Sequence, residues 1–413
     1  MRRIFLTILT IFCTLAMTAQ RHEIMSDHIA TLQVVADNDW LTMPVIRLNS
    51  GQRIHIEFDD LTHQYNRYAY KVIHCEADWT ESEELFESDY IEGFADGNTI
   101  DEMEESLNTN QLYTHYSLTL PNEHCRLKMS GNYKVEVYDD NDDSEPMLTA
   151  CFMVVEPVMT VRMEVTPNTD IDVNKSHQQV SMEVAYNGLQ VLQPERQIHT
   201  VVLQNGRWDN ARLNAKPQYT MADGLRWDHN RDLIFDAGNE YRKFEVLDTD
   251  HPTLGIDRIR WDGKQFHAFV FADEPRPNYL YDEDANGAFY IRNSDNIENN
   301  RISDYVQVHF QLMCPQPVSG DVYVNGVWTN DRFLEQYRME YDYGSSSYQL
   351  TLPLKMGYYS YQYVMLDADG FAQVMPTEGS FFQTENEYYA LVYYRQQGGR
   401  TDRLVGYQKV RYK

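Results

Sequence analysis

The sequence predicts an all-β protein built from three consecutive antiparallel β-sandwiches of the immunoglobulin-like type. Short segments rich in Val, Ile, Thr, Tyr and Phe alternate apolar and polar residues, which is typical of strands with one buried face. Turn dipeptides such as Asn187-Gly188 and Asn286-Gly287 stand between them, and such pairs favour tight hairpins. Helical periodicity is almost absent. Many short strands without intervening helices indicate sandwiches rather than a mixed α/β fold.

Individual elements follow from the same pattern. The best helical candidate is Asp78–Glu87, which begins with acidic residues and is expected to form at most one short turn of helix within a loop. The strands with the clearest alternation are Arg53–Phe58, Tyr133–Tyr138, Val161–Val165, Gln179–Tyr186 and Val306–Leu312.

Residues 1–19 have the pattern of a secretory signal peptide. Arg2 and Arg3 precede the apolar run Ile4–Met17, and small residues follow, so we expect cleavage after Ala19. A retained membrane anchor would need about twenty apolar residues, and this run is shorter. A lipoprotein signal at Cys13 would need a small residue where Phe12 stands. No later stretch approaches eighteen apolar residues, so the mature chain is expected to be soluble.

Two breaks divide the mature chain into the predicted domains. Pro157 ends one set of strands, and the polar stretch Ile291–Ser303 is interpreted as a linker. The boundaries are therefore placed at 20–157, 158–300 and 301–413. Each domain is of ordinary size for a sandwich.

Composition excludes some classes of partner. The chain has 413 residues, with Lys+Arg 35, Asp+Glu 63 and a formal net charge of −28. Nucleic acid is excluded because a phosphate backbone needs a basic surface. The same charge argues against docking on anionic lipid through a polybasic patch. No direct membrane insertion and no small-molecule substrate are expected.

The cysteines are too sparse for a disulfide-rich scaffold. After Cys13 there remain Cys75, Cys125, Cys151 and Cys314. One bridge among the first three is left open beside the alternative of buried thiols. A zinc site from His74-Cys75 and His124-Cys125 is disfavoured because adjacent strand residues point to opposite faces, so no metal ligand is predicted.

Two acidic turns are candidates for calcium sites. Asp282–Gly287 places oxygen ligands at alternate positions, but Asn293 stands where the bidentate Glu of a calcium loop is required. Asp139–Asp143 is a run of turn residues. Both are interpreted as solvated turns, with a loose calcium site as the open alternative, and no cofactor is predicted.

The sequence predicts no enzyme. It contains no nucleophile elbow, zinc-protease motif, phosphate-binding loop or dinucleotide fingerprint. Pairs of carboxylates are too abundant among 63 acids for any one pair to indicate glycoside hydrolysis. No catalytic residue is therefore assigned.

The last predicted domain resembles the early-set immunoglobulin-like sandwich of glycogen-binding modules. The strand Gly320–Asn325, the loop with Trp328 and the strand Gly357–Tyr363 carry that resemblance. It implies a runner-up function as a glycan-binding protein of the cell envelope. Such modules stack sugars on exposed tryptophans, and Trp328 is the only tryptophan in this predicted domain.

A series of uncommon strings runs from about residue 25 to the C-terminus. They are His74-Cys75-Glu76-Ala77-Asp78-Trp79, Asn108-Thr109-Asn110, Tyr113-Thr114-His115-Tyr116, Pro121-Asn122, Ser130-Gly131-Asn132-Tyr133, Tyr138-Asp139-Asp140-Asn141, Gln204-Asn205-Gly206-Arg207, 236–242 (DAGNEYR), Thr384-Glu385-Asn386, Val392-Tyr393-Tyr394-Arg395, Gly399-Arg400 and Leu404-Val405-Gly406-Tyr407. This series resembles the plug protein family of the type IX secretion system. The resemblance implies a non-catalytic periplasmic subunit that closes the pore of a giant outer-membrane barrel translocon, which would be its partner.

Four residues are predicted to contact that partner. Aromatic and arginine side chains concentrate the binding energy of interfaces, and Trp79, Arg207, Trp208 and Tyr394 stand near predicted loops or strand ends. For Trp79 and Trp208 the alternative is an aromatic side chain that covers a core. The string 236–242 mixes turn and strand residues and fits a buried polar hinge between domains. No role in binding is assigned to it.

Overall fold

The computed structural model describes residues 22–142 and 145–413. The predicted signal peptide lies outside these residues. The chain is nearly all β, which confirms the predicted fold class, and almost all strand pairs are antiparallel. Among the described residues, no helix is long and apolar enough to cross a membrane.

Residues 22–156 form the N-terminal sandwich. Its elements are β1 (Glu23–Ile24), β2 (Ile29–Ala36), β3 (Val45–Arg47), β4 (Ile54–Asp60), β5 (Tyr68–Cys75), α1 (Glu87–Tyr90), β6 (Ile91–Gly93), β7 (Asn98–Thr99), β8 (Glu102–Glu105), β9 (Thr114–Leu120), β10 (Cys125–Leu127), β11 (Gly131–Asp139) and β12 (Leu148–Val155). One sheet has the order β1-β12-β11-β5-β7, with β3 parallel to β12, and the other has the order β2-β4-β9-β8. At Asp78–Glu87, where at most one short turn of helix was expected, the chain forms loop and turns, and the four-residue helix α1 begins only at Glu87.

The next elements belong to the middle sandwich. They are β13 (Thr160–Thr166), β14 (His177–Ala185), α2 (Pro194–Gln197), β15 (Ile198–Gln204), β16 (Arg212–Leu213), β17 (Tyr219–Met221), β18 (Gly224–Trp227), a 3₁₀ turn (Arg231–Leu233) and β19 (Ile234–Asp236). Its first sheet has the order β13-β14-β18-β17, with β19 also on β14.

Residues 242–375 form the inserted sandwich. Its elements are β20 (Arg242–Val246), β21 (Ile256–Trp261), β22 (Phe266–Val270), β23 (Phe289–Ile291), α3 (Asn299–Ile302), β24 (Tyr305–Met313), β25 (Asp321–Asn325), 3₁₀ turns (Val327–Thr329 and Glu335–Tyr337), β26 (Glu340–Asp342), β27 (Ser347–Lys355), β28 (Gly357–Leu366) and β29 (Ala372–Val374). One sheet is centred on β28, which pairs with β20, β23, β25 and β29, and the other has the order β21-β22-β24-β27-β26.

The last two strands return to the middle sandwich. They are β30 (Glu387–Tyr394) and β31 (Arg403–Arg411), and they complete a sheet of order β16-β15-β30-β31. The sandwiches are therefore not consecutive: the third is inserted between β19 and β30 of the second. The boundaries predicted at 158–300 and 301–413 do not follow the sheets. The polar stretch 291–303 lies inside the inserted sandwich, where it contains α3, and is not a linker between domains.

The N-terminal and middle sandwiches stack sheet on sheet. In β12, Phe152 and Val154 face the N-terminal core, whereas Cys151, Met153 and Val155 face the middle sandwich. In β30, Tyr388, Ala390 and Val392 belong to the middle core, and Tyr389, Leu391 and Tyr393 face the other way. Strands covered on both faces have continuous apolar runs, and the runs in β12 and β30 are of this kind.

Candidate functional site

Each of the three sandwiches contacts the other two, and the three junctions are the candidate functional site of an interaction protein. The junction between the N-terminal and middle sandwiches is apolar. Its fully buried centre is the cluster Met43, Ile73, Cys75, Trp79, Cys151, Met153, Val155, Val201, Leu203, Trp208, Tyr389, Leu391, Tyr393 and Leu404. Burial of this kind stabilises by about 1.5–3 kcal/mol for each large side chain.

Trp79 and Trp208 meet edge to face inside this junction, with ring centroids 5.7 Å apart and an interplanar angle of 88°. Trp79 is 0% exposed and Trp208 is 9% exposed. Trp79 has a φ of 69°, which is unusual for a bulky residue. The turn is held by a hydrogen bond from its backbone N–H to the carbonyl oxygen of Glu76 (3.0 Å).

Polar contacts surround the apolar centre. The Tyr393 hydroxyl donates to Asn132 Oδ1 across the junction at 2.8 Å. Arg395 forms ion pairs with Glu76 of the N-terminal sandwich (2.6 Å) and with Asp402 (2.9 Å). The backbone N–H of Asp402 also donates to the Glu76 carboxylate. These contacts fix the register of the two stacked sheets.

The junction between the N-terminal and inserted sandwiches contains a buried ion pair. Asp59 Oδ2 and Lys355 Nζ are 2.6 Å apart, and both side chains are 0% exposed. Asp59 also contacts His115 Nδ1 (2.7 Å) and accepts from the Tyr305 hydroxyl (2.6 Å). Burial by itself would raise the pKa of the Asp59 carboxyl, but Lys355 and His115 together outweigh it and lower that pKa.

Further contacts around this pair join the same two sandwiches. The Asp304 carboxylate accepts from the backbone N–H groups of Asn110 and Gln111 at 2.8 and 3.0 Å. The Tyr113 hydroxyl donates to the carbonyl oxygen of Ser303, and the ring of Tyr113 lies 4.0 Å from Lys355 Nζ. The Lys355 ammonium is therefore held by a carboxylate and by an aromatic face.

The junction between the middle and inserted sandwiches is made by the two crossings of the chain. The outgoing crossing is the string 236–242, and the returning crossing is 376–386. Asn239 Nδ2 donates to the carbonyl oxygen of Glu378, and Asn386 Nδ2 donates to that of Ala237, at 2.7 and 2.8 Å. Thr384 Oγ1 donates to the carbonyl oxygen of Gly238. The two crossings are thus tied to each other along their length.

Beneath the crossings lies a network of buried charges. Arg242 pairs with Asp273 (2.7 Å) and Glu378 (2.8 Å), and Arg276 also pairs with Glu378. The hydroxyls of Tyr361 and Tyr363 donate to Asp273 at 2.7 and 2.6 Å. The acids of this network are neutralised by arginines, an arrangement that suits structure rather than general acid–base chemistry.

A cavity of about 100 Å³ lies where all three sandwiches meet, with Met43, Trp208, Asn286 and Asp331 in its wall. Burial, together with repulsion from Asp209, raises the pKa of Asp331 to about 7. Burial also raises the pKa of Asp284 to about 7, even though its carboxylate accepts from the backbone N–H groups of Tyr241 and Asn286.

None of the four residues predicted as partner contacts lies on an outer surface: Trp79, Arg207 and Trp208 lie at these junctions, and Tyr394 lies in the core of the middle sandwich. Trp79 and Trp208 are in the apolar cluster, as in the alternative interpretation. Arg207 has a side chain only 15% exposed and pairs with Asp209. Tyr394 is buried, and its hydroxyl donates to the carbonyl oxygen of Gln190 at 2.9 Å. The side chains of all four residues are largely covered by other parts of this chain. Their contact with a partner stays a prediction.

The metal and disulfide alternatives find no support among the described residues. No group of three or more His, Cys, Asp or Glu side chains in 22–142 and 145–413 is placed to hold a metal ion. Cys75, Cys125 and Cys314 are buried free thiols. The Lys243 ammonium donates to Asp282 Oδ1, which a calcium ion would need, and to the carbonyl oxygen of Glu283. Of the run Asp139–Asp143, Asp143 lies outside the described residues.

The proposed sugar platform is absent from its predicted place. Trp328 is buried, packs on Phe310 and Tyr359, and donates through Nε1 to the carbonyl oxygen of Ser360. Tyr359 and Tyr361 of β28 are also buried in the core. The resemblance to glycogen-binding modules therefore does not extend to an exposed stacking surface at these rings.

Sequence reasoning missed the residues that join the N-terminal and inserted sandwiches. Asp59, Lys355 and Tyr305 stand at strand ends, where charged residues usually face solvent. The strings that carried the family resemblance did contain a signal for these junctions. Six of the strings that carried the resemblance lie at junctions, and these six therefore indicate where the sandwiches meet: 74–79, 108–110, 113–116, 236–242, 384–386 and 392–395.

Comparisons with known proteins agree with this series. The model of the first domain of the type 9 secretion system plug protein matches residues 29–156, which correspond to the N-terminal sandwich. A crystal structure of a hypothetical protein from Parabacteroides merdae ATCC 43184 is 38% identical, with 95% of this chain and 99% of that chain covered and a TM-score of 0.92. No curated protein matches the sequence. The plug family is not a known enzyme family, and the chain belongs to the type IX secretion system plug protein family.

Proposed function

We propose that this protein is an exported periplasmic subunit that seals the pore of the type IX outer-membrane translocon from its periplasmic side while no client is in transit. The match of the N-terminal sandwich to the first domain of the plug family carries the proposal. The function is mechanical, and the translocon barrel is the partner.

The junctions give this proposal its physical support. A body that obstructs a pore must keep its shape, yet domains within one chain usually move because their interfaces are small and polar. Here one junction is an apolar sheet-on-sheet stack and a second contains a buried ion pair. The third ties together the two crossings of the chain. Since each sandwich is held by both others, a hinge motion at one junction would have to break a second.

Envelope permeability tests the proposal. A strain that lacks the protein should admit an antibiotic too large for ordinary porins, and the wild-type gene should restore the barrier. Lys355→Met, which breaks the buried pair, should restore the barrier only partly. Lys216→Met is the matched control, because Lys216 is exposed. A deletion strain as impermeable as its parent would reject sealing as the function.

Co-purification tests the partner separately. Tagged wild-type protein should bring a very large outer-membrane barrel with it from detergent-solubilised envelopes. Lys355→Met should bring a similar amount if the pair serves rigidity rather than docking. Recovery of no large barrel with the wild-type protein would count against the translocon as partner, whatever the permeability result.

A further inference from the structure

A groove of about 580 Å³ lies at one end of the N-terminal sandwich, and three arginines line it. They are Arg47 at the end of β3, Arg53 just before β4, and Arg126 in β10. All three are exposed. β4 pairs with β9 so that Ile54 lies opposite Leu120, and this register brings the turn 48–53 beside the turn 121–124. Two turns of one sandwich end therefore form the groove.

These arginines differ from most others in the described chain. Most of the other arginines in the described residues form ion pairs with carboxylates, as Arg242 does with Asp273 and Arg395 with Asp402. Within residues 22–142 and 145–413, no acidic side chain lies within ion-pair distance of Arg47, Arg53 or Arg126. They thus form a local concentration of positive charge on a protein whose formal net charge is −28.

Two acids near the groove do not pair with its arginines. The Asp37 carboxylate accepts from the backbone N–H of Arg53 (2.9 Å) and from Gln52 Nε2 (3.0 Å). Its contacts are therefore with the main chain and with Gln52, and not with the guanidinium of Arg53. Glu123, in the groove wall, lies 3.5 Å from His124 and is 83% exposed. Since neither carboxylate forms an ion pair with the three arginines, their guanidinium groups can bind an external anion.

The turns themselves are well fixed. Asn122 Oδ1 accepts from the backbone N–H groups of His124 and Cys125, and its Nδ2 donates to the Tyr70 hydroxyl at 2.9 Å. Gln52 Oε1 accepts from the backbone N–H of Arg47 at 3.0 Å. Because the backbone that carries the arginines is held in place, less conformational entropy is lost when they bind a ligand.

We propose that this groove binds a phosphate group with at least two negative charges, as found in a diphosphate or in the headgroup of an anionic phospholipid. Guanidinium groups recognise phosphate through paired hydrogen bonds, and three of them suit a multiply charged group better than one carboxylate. This site is separate from the three junctions and does not depend on the sealing function.

Calorimetry with inorganic pyrophosphate on the full chain at low ionic strength tests the proposal. The triple variant Arg47→Gln, Arg53→Gln, Arg126→Gln should bind at least about tenfold more weakly, because it lacks the charge-assisted contacts to the phosphate. The matched control is Arg162→Gln, Arg231→Gln, Arg260→Gln, which removes three exposed arginines without ion pairs elsewhere. It carries the same change in net charge and should bind as the wild type does.

Vesicle flotation then separates the two sources of phosphate. Vesicles of phosphatidylcholine with phosphatidic acid should carry the wild-type protein but not the groove variant if a lipid headgroup is bound. Binding of pyrophosphate without flotation identifies a soluble phosphate compound. The proposal is overturned if the wild type binds neither probe, if both triple variants lose binding equally, or if a glutamate-rich peptide binds the groove more tightly than pyrophosphate does. Unchanged thermal unfolding of both variants checks that they are folded.

Discussion

Asp59 of the N-terminal sandwich and Lys355 of the inserted sandwich are 2.6 Å apart, with neither side chain exposed to solvent. They are separated by 296 residues of sequence. A buried ion pair is costly to form, and its best-supported role is to specify one arrangement over others. We interpret this pair as the feature that fixes how the inserted sandwich sits on the N-terminal one.

Removing one partner of this pair should destabilise the protein strongly. Lys355→Met leaves the Asp59 carboxylate buried without its cation, which should cost about 3–5 kcal/mol in the free energy of unfolding. Denaturant unfolding followed by circular dichroism measures the change. Asp59→Asn combined with Lys355→Met should recover a large part of the loss, since no uncompensated charge is then buried. Equal losses in the single and double variants would show that packing, not charge, dominates the site.

The apolar junction should couple the unfolding of two sandwiches. Trp79→Ala removes a ring that is 0% exposed and should cost about 3–5 kcal/mol through cavity formation. Because the lost contact lies between sandwiches, the unfolding curve should also broaden or split into two transitions. The control is Trp261→Ala, which removes a ring that is 49% exposed. A similar cost for the two variants would contradict the placement of Trp79 at the junction.

The carboxyls of Asp284 and Asp331 should make a contribution to stability that falls as the pH rises from about 4 to about 7. Burial raises the pKa of Asp284 and of Asp331 from 3.8 to about 7. In that interval these two carboxyls bind more protons in the folded state than in the unfolded state, so their contribution to the free energy of unfolding decreases with pH. The contribution of the two protonated carboxyls to stability is complete below about pH 4, and it is lost as the pH rises through their folded pKa of about 7.

Between pH 5 and pH 8, the thermal midpoint of the double variant Asp284→Asn, Asp331→Asn should rise relative to that of the wild type, because the variant lacks the two carboxyls whose ionisation destabilises the folded state. The exposed Asp369→Asn serves as control and should follow the wild-type profile. Parallel profiles for all three proteins would exclude these two carboxyls as the source of the pH dependence.

The buried thiols should be unreactive in the folded protein. Burial raises the pKa of Cys75 to about 12 and that of Cys125 to about 12, and the thiolate is the reactive form. The disulfide reagent dithiobis(nitrobenzoate) should label neither residue in the native protein at pH 8. It should label both residues after unfolding in guanidinium. Fast native labelling would show that the junction or the core opens. Failure to label in denaturant would indicate a bridge, the alternative that the sequence left open.

The local alternation of apolar and polar residues was sufficient to predict the strands. All five segments predicted from alternation are strands in the structure, and Val306–Leu312 lies within Tyr305–Met313. The pairs Asn187-Gly188 and Asn286-Gly287 have positive φ at both residues, as tight hairpin turns require. The pair Asn325-Gly326 does not form such a turn, because Gly326 is extended and precedes the 3₁₀ turn Val327–Thr329.

The grouping of strands into sandwiches could not be predicted in the same way. The backbone hydrogen bonds of β15 do not distinguish β30, far along the chain, from a strand nearby. Closing a longer loop costs little extra entropy, so a whole sandwich can stand between two strands of one sheet. The continuous apolar runs of β12 and β30 did indicate strands buried on both faces, although not which sheets would cover them.

By itself, the sequence determined that this chain forms short antiparallel strands and belongs among the plug proteins, because alternation, turn residues and characteristic strings are local properties. Only the tertiary structure decided that the third sandwich is an insertion, that Trp79 and Trp208 face each other inside a junction, and that Asp59 meets Lys355. Those outcomes depend on contacts between residues far apart in sequence, whose desolvation and packing no local pattern records.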